Sequence, residues 1–184
     1  MLIHVDDIKE KGLQLEAVEE VEGYPGLQRL VESGELVPIG PVVTAVQAFR
    51  VGGMIEVDGQ VQAGVRLGCG RCLQEFDLPL RNEFHLTFVR ELPEVAGEAG
   101  EDGAELSAED MGLILFEGDE LELREAIEEQ VLMALPLRPL CSEQCKGLCP
   151  QCGIDLNQGQ CNCPGQDFNL KFAALRDFKV KKEQ

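Results

Sequence analysis

Residues 42–89 read "VVTAVQAFRVGGMIEVDGQVQAGVRLGCGRCLQEFDLPLRNEFHLTFV", and the way this stretch divides decides the fold. Apolar side chains take alternate positions from Ile55 through Val57, Val61, Ala63 and Val65 to Leu67, and again at Phe76, Leu78, Leu80, Phe84, Leu86 and Phe88. That is the period of strands with one face in a core. "VVTAVQAFRV" precedes them, and Gly52-Gly53 supplies the positive φ that a tight hairpin needs. Asp58-Gly59 is a competing turn, but a two-residue turn there sets Val57 against Gln60 and Ile55 against Gln62, mixing apolar and polar side chains on one face. The spacing therefore predicts one long central strand and a three-stranded antiparallel meander over 42–89.

Outward from the meander, residues 91–110, "ELPEVAGEAGEDGAELSAED", hold too little apolar surface to offset the entropy of ordering and read as an acidic loop. "DELELREAIEEQVLMAL" then places Leu123, Ala126, Ile127, Val131, Ala134 and Leu135 on one helical stripe over 119–135. Asp119 with Glu122 resembles a capping box, and Pro136 stops the helix. The stripe is expected to cover one face of the sheet. "PLRPL" runs extended into Cys141, and a short amphipathic segment is expected near Phe168 to Val180. In the first 40 residues, "GLQLEAVEEVEG" offers strands that would extend the sheet and close it toward a barrel. The fold class is α+β: an antiparallel sheet body over 1–140, then a Cys-rich segment with its tail over 141–184.

Eight cysteines carry the chemistry. In a reducing compartment CxxC spacing points to metal-held thiolates rather than disulfides. "CGRC" places Cys69 and Cys72 on a hairpin turn, whereas a thioredoxin-type CxxC ends a strand and opens a helix; the period-two run that follows, with Pro79 in it, argues against redox catalysis. "CPQCG" lets Cys149 and Cys152 converge on one ion, with Pro150 fixing the turn and Gly153 tolerating a positive φ. Cys161 and Cys163 return after a loop rich in Asn and Gly. These four match a closed all-thiolate tetrahedron without an open position for a catalytic water. Cys69, Cys72, Cys141 and Cys145 remain for a second such site. The competing grouping joins Cys69 and Cys72 to Cys149 and Cys152, leaving Cys141 and Cys145 for Cys161 and Cys163. The sequential grouping is preferred because the 149–163 segment closes without a long loop. Two structural zinc ions are expected, with an iron–sulfur cluster as the alternative user of four thiolates.

The net charge of −18 is uneven: residues 91–129 carry fifteen acids against Arg124 alone, while 130–184 carry seven Lys and Arg against five acids. The chain lacks the basic footprint of a general nucleic-acid binder, although Lys171, Arg176, Lys179, Lys181 and Lys182 could touch a phosphate backbone. An acidic face attracts a basic partner, or simply keeps the chain in solution. "MLIHVDDIKEKG" has no apolar h-region, and no apolar run approaches the ~20 residues of a membrane span, so a cytoplasmic protein without membrane contact is expected. His4 and His85 lie far from any nucleophile motif, and no Walker A loop, GxSxG or dinucleotide fingerprint occurs. The balance is against an enzyme.

"CGRCLQEF", the acidic loop, a helix ending in "LMALPLRPLC" and then "CKGLCPQCGIDLNQGQCNC" together resemble the YceD family, the large ribosomal RNA subunit accumulation proteins, over roughly residues 41–178. Some members resemble the chain at the first CxxC and around Cys141 and Cys145 but lack the four later cysteines, which implies the sequential grouping. The resemblance implies a part in synthesis, processing or stability of bacterial 23S ribosomal RNA, and its gene often neighbours that of ribosomal protein L32. Charge and resemblance together suggest that the acidic surface binds a basic ribosomal protein such as L32. The rival is direct contact with precursor 23S ribosomal RNA through the Cys-rich turns and basic tail, and a less favoured third is a metal-dependent RNA-processing enzyme.

Overall fold

The computed structural model describes residues 1–91 and 112–163. The expected acidic loop, beyond Glu91, and the tail with its amphipathic segment and Lys171, Arg176, Lys179, Lys181 and Lys182 lie outside the described residues.

The meander forms as the alternation predicts, with β4 at Val42–Val51, β5 at Met54–Gly68 and β6 at Glu75–Val89. Val51 pairs Met54 across Gly52-Gly53, and Gly52 takes φ +61°. The long strand holds through Asp58-Gly59 for a reason the pattern hides. Gly59 lies opposite Phe84 in the register, and a Cβ there would sit 2.1 Å from the Phe84 ring. Glycine is required so that this aromatic can lie across β5 and fill the core.

The first 40 residues do add strands. β2, Leu13–Glu19, pairs antiparallel with β4, and β3, Val37–Pro38, meets β5 at Val65 and Arg66, beyond the reach of β4. The barrel expectation is corrected: the sheet stays open. Its order is β2-β4-β5-β6-β7, with β7 at Leu113–Leu115, and β2 and β7 are its ends. It is also not purely antiparallel, because β7 runs parallel to β6. β1, Leu2–His4, and β8, Glu120–Glu122, form a separate two-stranded antiparallel pair.

The helical stripe forms as α2, Arg124–Ala134, and packs on β5 and β6. The expected helix start and capping box are corrected. Leu123 is the N-cap and makes no side-chain cap hydrogen bond, while Glu120–Glu122 lie in β8. Leu121 is buried between exposed Glu120 and Glu122, a period-two pattern that β1 can pair, and Asp119 instead accepts from Arg90 at 2.8 Å. Unforeseen altogether is α1, Pro25–Glu32, with proline in its first turn and Gly34 at φ +75° just past its end. Its Leu27 amide donates to Glu128 of α2 at 2.9 Å.

The core lies between the sheet and these helices, around Tyr24, Leu27, Val57, Val61, Leu121, Ile127 and Val131. Gln130 is the polar exception on the buried face of α2, where Asn82 Nδ2 donates to its Oε1 at 3.1 Å. Gln130→Leu should cost about 1–2 kcal/mol by stripping Asn82 of its better acceptor. Replacing both residues by leucine should recover most of that loss, as read from urea midpoints of the single and double variants. Among the described residues no helix is long and apolar enough to cross a membrane.

Candidate metal centres

β5 and β6 deliver Cys69 and Cys72 on the six-residue connection between Gly68 and Glu75. The segment leaving α2 brings Cys141 and Cys145 to the same place, and the four sulfurs lie within 4.8 Å of one another. Cys149, Cys152, Cys161 and Cys163 form a second set under the same limit. The fold thus forms the sequential grouping, not the one that joins the two CxxC turns.

The two CxxC turns share one backbone design. The Cys69 amide donates to the Gln74 carbonyl at 2.9 Å and the Leu73 amide to the Cys69 carbonyl at 2.9 Å. Cys149 repeats this, donating to Ile154 at 2.8 Å and accepting from Gly153 at 2.8 Å. In both turns the residue after the second cysteine has positive φ, +62° at Leu73 and +73° at Gly153. Leucine in that region carries strain of about 1–2 kcal/mol. Because Leu73 is 70% exposed and packs little, Leu73→Gly should stabilise the fold by about 0.5–1 kcal/mol, the entropy of the unfolded chain offsetting part of the relief. A thermal midpoint at or below wild type would count against this account.

Chemistry and geometry fit a tetrahedral ion in each set. Sulfurs about 2.3 Å from a central ion define edges of about 3.8 Å; Cys69 and Cys145 are 3.8 Å apart and Cys72 and Cys141 3.6 Å. Burial disfavours the Cys69 thiolate, but amides of Cys141, Cys72 and Arg71 directed at its sulfur hold it down at about 6. Amides of Cys152 and Gln151 do the same for Cys149, also to about 6. The neighbours resist a second charge: the adjoining Cys72 thiol, with burial, pushes Cys141 up to about 12, and Cys152, with burial, does the same to Cys163. Only a cation at the centre lets all four ionise together. An ion held by all four thiolates of a set would have a filled tetrahedron, with no open position for a catalytic water.

The two sets are joined through residues that spacing alone did not single out. Arg71, inside the first CxxC, donates to the carbonyls of Glu143 at 3.1 Å and Cys145 at 2.8 Å, and its own carbonyl accepts from Leu148 at 3.0 Å. Gly147, at φ +75°, lets the backbones meet; a Cβ there would lie 2.9 Å from the Arg71 carbonyl oxygen. Asn157, in the loop of the second set, donates to Cys145 Sγ at 3.3 Å and accepts from the Lys146 amide at 2.7 Å. Such partners orient ligands as much as the ligands orient the metal. His85 and His4 take no part: both are exposed, paired with Asp58 at 2.7 Å and Glu120 at 3.3 Å.

The family of large ribosomal RNA subunit accumulation proteins named YceD matches residues 57–179, from near the start of β5 past the second cysteine set. The chain belongs to the YceD family. It is 25% identical over 161 residues to the chloroplastic large ribosomal RNA subunit accumulation protein YCED homolog 1 of Arabidopsis thaliana, covering 78% of this chain and 50% of that one. The Zea mays homolog of the same name is 28% identical over 145 residues, 68% of this chain and 50% of the other. An uncharacterized protein of Mycobacterium tuberculosis is 32% identical over 100 residues, 54% and 44%. The chain spans about half the length of the curated relatives it matches. No solved structure matches it. The YceD match takes in all eight cysteines together with Arg71, Gly147 and Asn157.

Proposed function

We propose that this chain is a non-enzymatic, cytoplasmic factor of large-ribosomal-subunit biogenesis that supports synthesis, processing or stability of 23S ribosomal RNA. Membership of the YceD family carries this reading, since that family is named for large-subunit ribosomal RNA accumulation. Zinc in the two cysteine sets is structural: Cys69, Cys72, Cys141 and Cys145 hold one ion and tie the hairpin to the chain leaving α2. Cys149, Cys152, Cys161 and Cys163 hold the other. Closed four-thiol sets support a role in shape rather than turnover.

The mode of action follows from charge. At −18 overall, the protein binds a basic large-subunit ribosomal protein, such as L32, shields its charge and delivers it to the assembling particle. A second reading rests on the basic residues Lys171, Arg176, Lys179, Lys181 and Lys182 beyond the cysteines: direct contact with precursor 23S ribosomal RNA. Capture from lysate by the zinc-loaded full chain, with and without nuclease, separates the two. A free basic ribosomal protein that survives nuclease supports the chaperone mode. If every protein is lost with nuclease and only 23S precursor fragments come down, the chaperone mode fails and RNA contact takes its place.

A further inference from the structure

Among the described residues, two surface grooves carry carboxylates with no Lys or Arg in their lining, and they differ in kind. One, of about 750 Å³, lies across β2, β4, β5 and β6 and is the more polar, with Glu16, Gln47, Gln60, Glu83 and the Asp58–His85 pair beside Leu15, Val46 and Phe84. The other, of about 560 Å³, lies between α2 and the β6–β7 edge. Leu86, Phe88, Ile114 and Ala126 give it apolar surface, and Glu122, Glu125 and Glu129 add three carboxylates from the α2 side. Leu115, 52% exposed, lines the same groove.

Three features converge there. The groove couples apolar surface to negative charge, and no Lys or Arg lines it. β7 ends the sheet, so its outer backbone groups have no strand partner among the described residues. An unpaired edge beside an apolar groove accepts an added strand, with main-chain bonds supplying affinity and the groove selecting alternate side chains. The residues that lead into β7 are poor occupants, because 92–111 carry seven acids and no Lys or Arg; like charge opposes their settling against the α2 carboxylates.

We propose that the groove between α2 and the β6–β7 edge docks an extended segment of a protein partner, one that alternates lysine or arginine with apolar side chains, along the free edge of β7. This rests on the protein-partner mode proposed above and names its binding surface. The groove across β2, β4, β5 and β6 has the more polar lining and adjoins no free strand edge of β7, so it contributes only general attraction.

The test uses the zinc-loaded full chain and two fluorescein-labelled peptides of about a dozen residues, one alternating lysine with valine and one alternating lysine with serine at equal charge. Anisotropy titrations at fixed salt should show the lysine–valine peptide binding at least ~10-fold tighter. Glu125→Gln with Glu129→Gln should weaken it about 10-fold, and Leu115→Gln about 5-fold at unchanged protein charge. Glu16→Gln with Glu83→Gln removes the same charge from the other face and should change binding less than ~2-fold. Equal loss from both pairs, equal binding of both peptides, or no binding overturns the proposal. Binding seen only when Lys171, Arg176, Lys179, Lys181 and Lys182 are all changed to Gln would assign the groove to the chain's own tail and also overturn it. The protein-partner mode is tested separately: if a basic ribosomal protein is captured equally by wild type and the Glu125/Glu129 variant, that mode stands and this surface is wrong, and if none is captured, that mode fails.

Discussion

Cys145→Ser is expected to empty the first cysteine set and to loosen the second, whereas Cys161→Ser empties only the second. Cys145 is 5% exposed and lies in a small core with Cys69 and Cys72, against Phe76, Leu140 and Leu148. It belongs to the first four-thiol set on one side and, through Asn157, is an anchor for the other set's loop. That loop hangs on the first set by two further bonds, Lys146 to Asn157 and Leu156 to the Gly147 carbonyl at 2.9 Å. A structural zinc is worth about 10–16 kcal/mol in peptides that fold around it. A chain with its own hydrophobic core should lose a fraction, about 5 kcal/mol, or ~10–20 °C in thermal midpoint at this length. Metal per chain by mass spectrometry should fall from two to one or below in Cys145→Ser. If this variant kept two ions and the wild-type midpoint, the proposed zinc role would be defeated.

Gly147→Ala should be strongly damaging at a residue that is not among the cysteine ligands. Its φ of +75° strains any side chain, and the added methyl meets the carbonyl oxygen of Arg71, backbone that cannot turn aside. The same carbonyl accepts from Leu148, and the Arg71 side chain holds two further carbonyls, so relief at one contact breaks others. Left-handed strain of about 1–2 kcal/mol and overpacking of about 1–3 kcal/mol together imply a loss of about 2–5 kcal/mol. Gly153→Ala is the internal control. Gly153 has nearly the same φ, +73°, with no atom within 4 Å of the added carbon, so it should lose only the strain. Urea midpoints and the rate of zinc release to a chelator measure both variants, and equal losses would remove the contact between the two cysteine segments from the account.

How far the cysteine sets can be read along the chain depends on sequence separation. Cys149, Cys152, Cys161 and Cys163 fall in one short segment, where loop closure is cheap and spacing nearly names the set. The other four come from two distant segments, and loop entropy only argued for leaving them over. Arg71, Gly147 and Asn157 carry no spacing signal, because each matters through the backbone it meets. The positive φ at Leu73 was open to inference in principle: it occupies the position that Gly153 holds in the second CxxC turn.

The same division runs through the fold. Alternating apolar residues over 42–89 determined the meander, its faces and the unbroken central strand, because a period of two survives any tertiary context that buries one face. The apolar stripe likewise determined that a helix follows. Where that helix begins was decided by β1, which takes Glu120–Glu122 as a strand before the helix can start. β7 and β8 are three residues each, too short for a period to register, and exist because neighbouring edges supply their partners. The pattern already argued against a turn at Asp58-Gly59, but only the Phe84 ring opposite it shows why position 59 is glycine. Local patterns in the sequence determined the periodic elements and the local thiol set. Tertiary structure alone decided the open sheet, the parallel edge and the joining of distant cysteines, since each depends on which surfaces meet after the chain has folded.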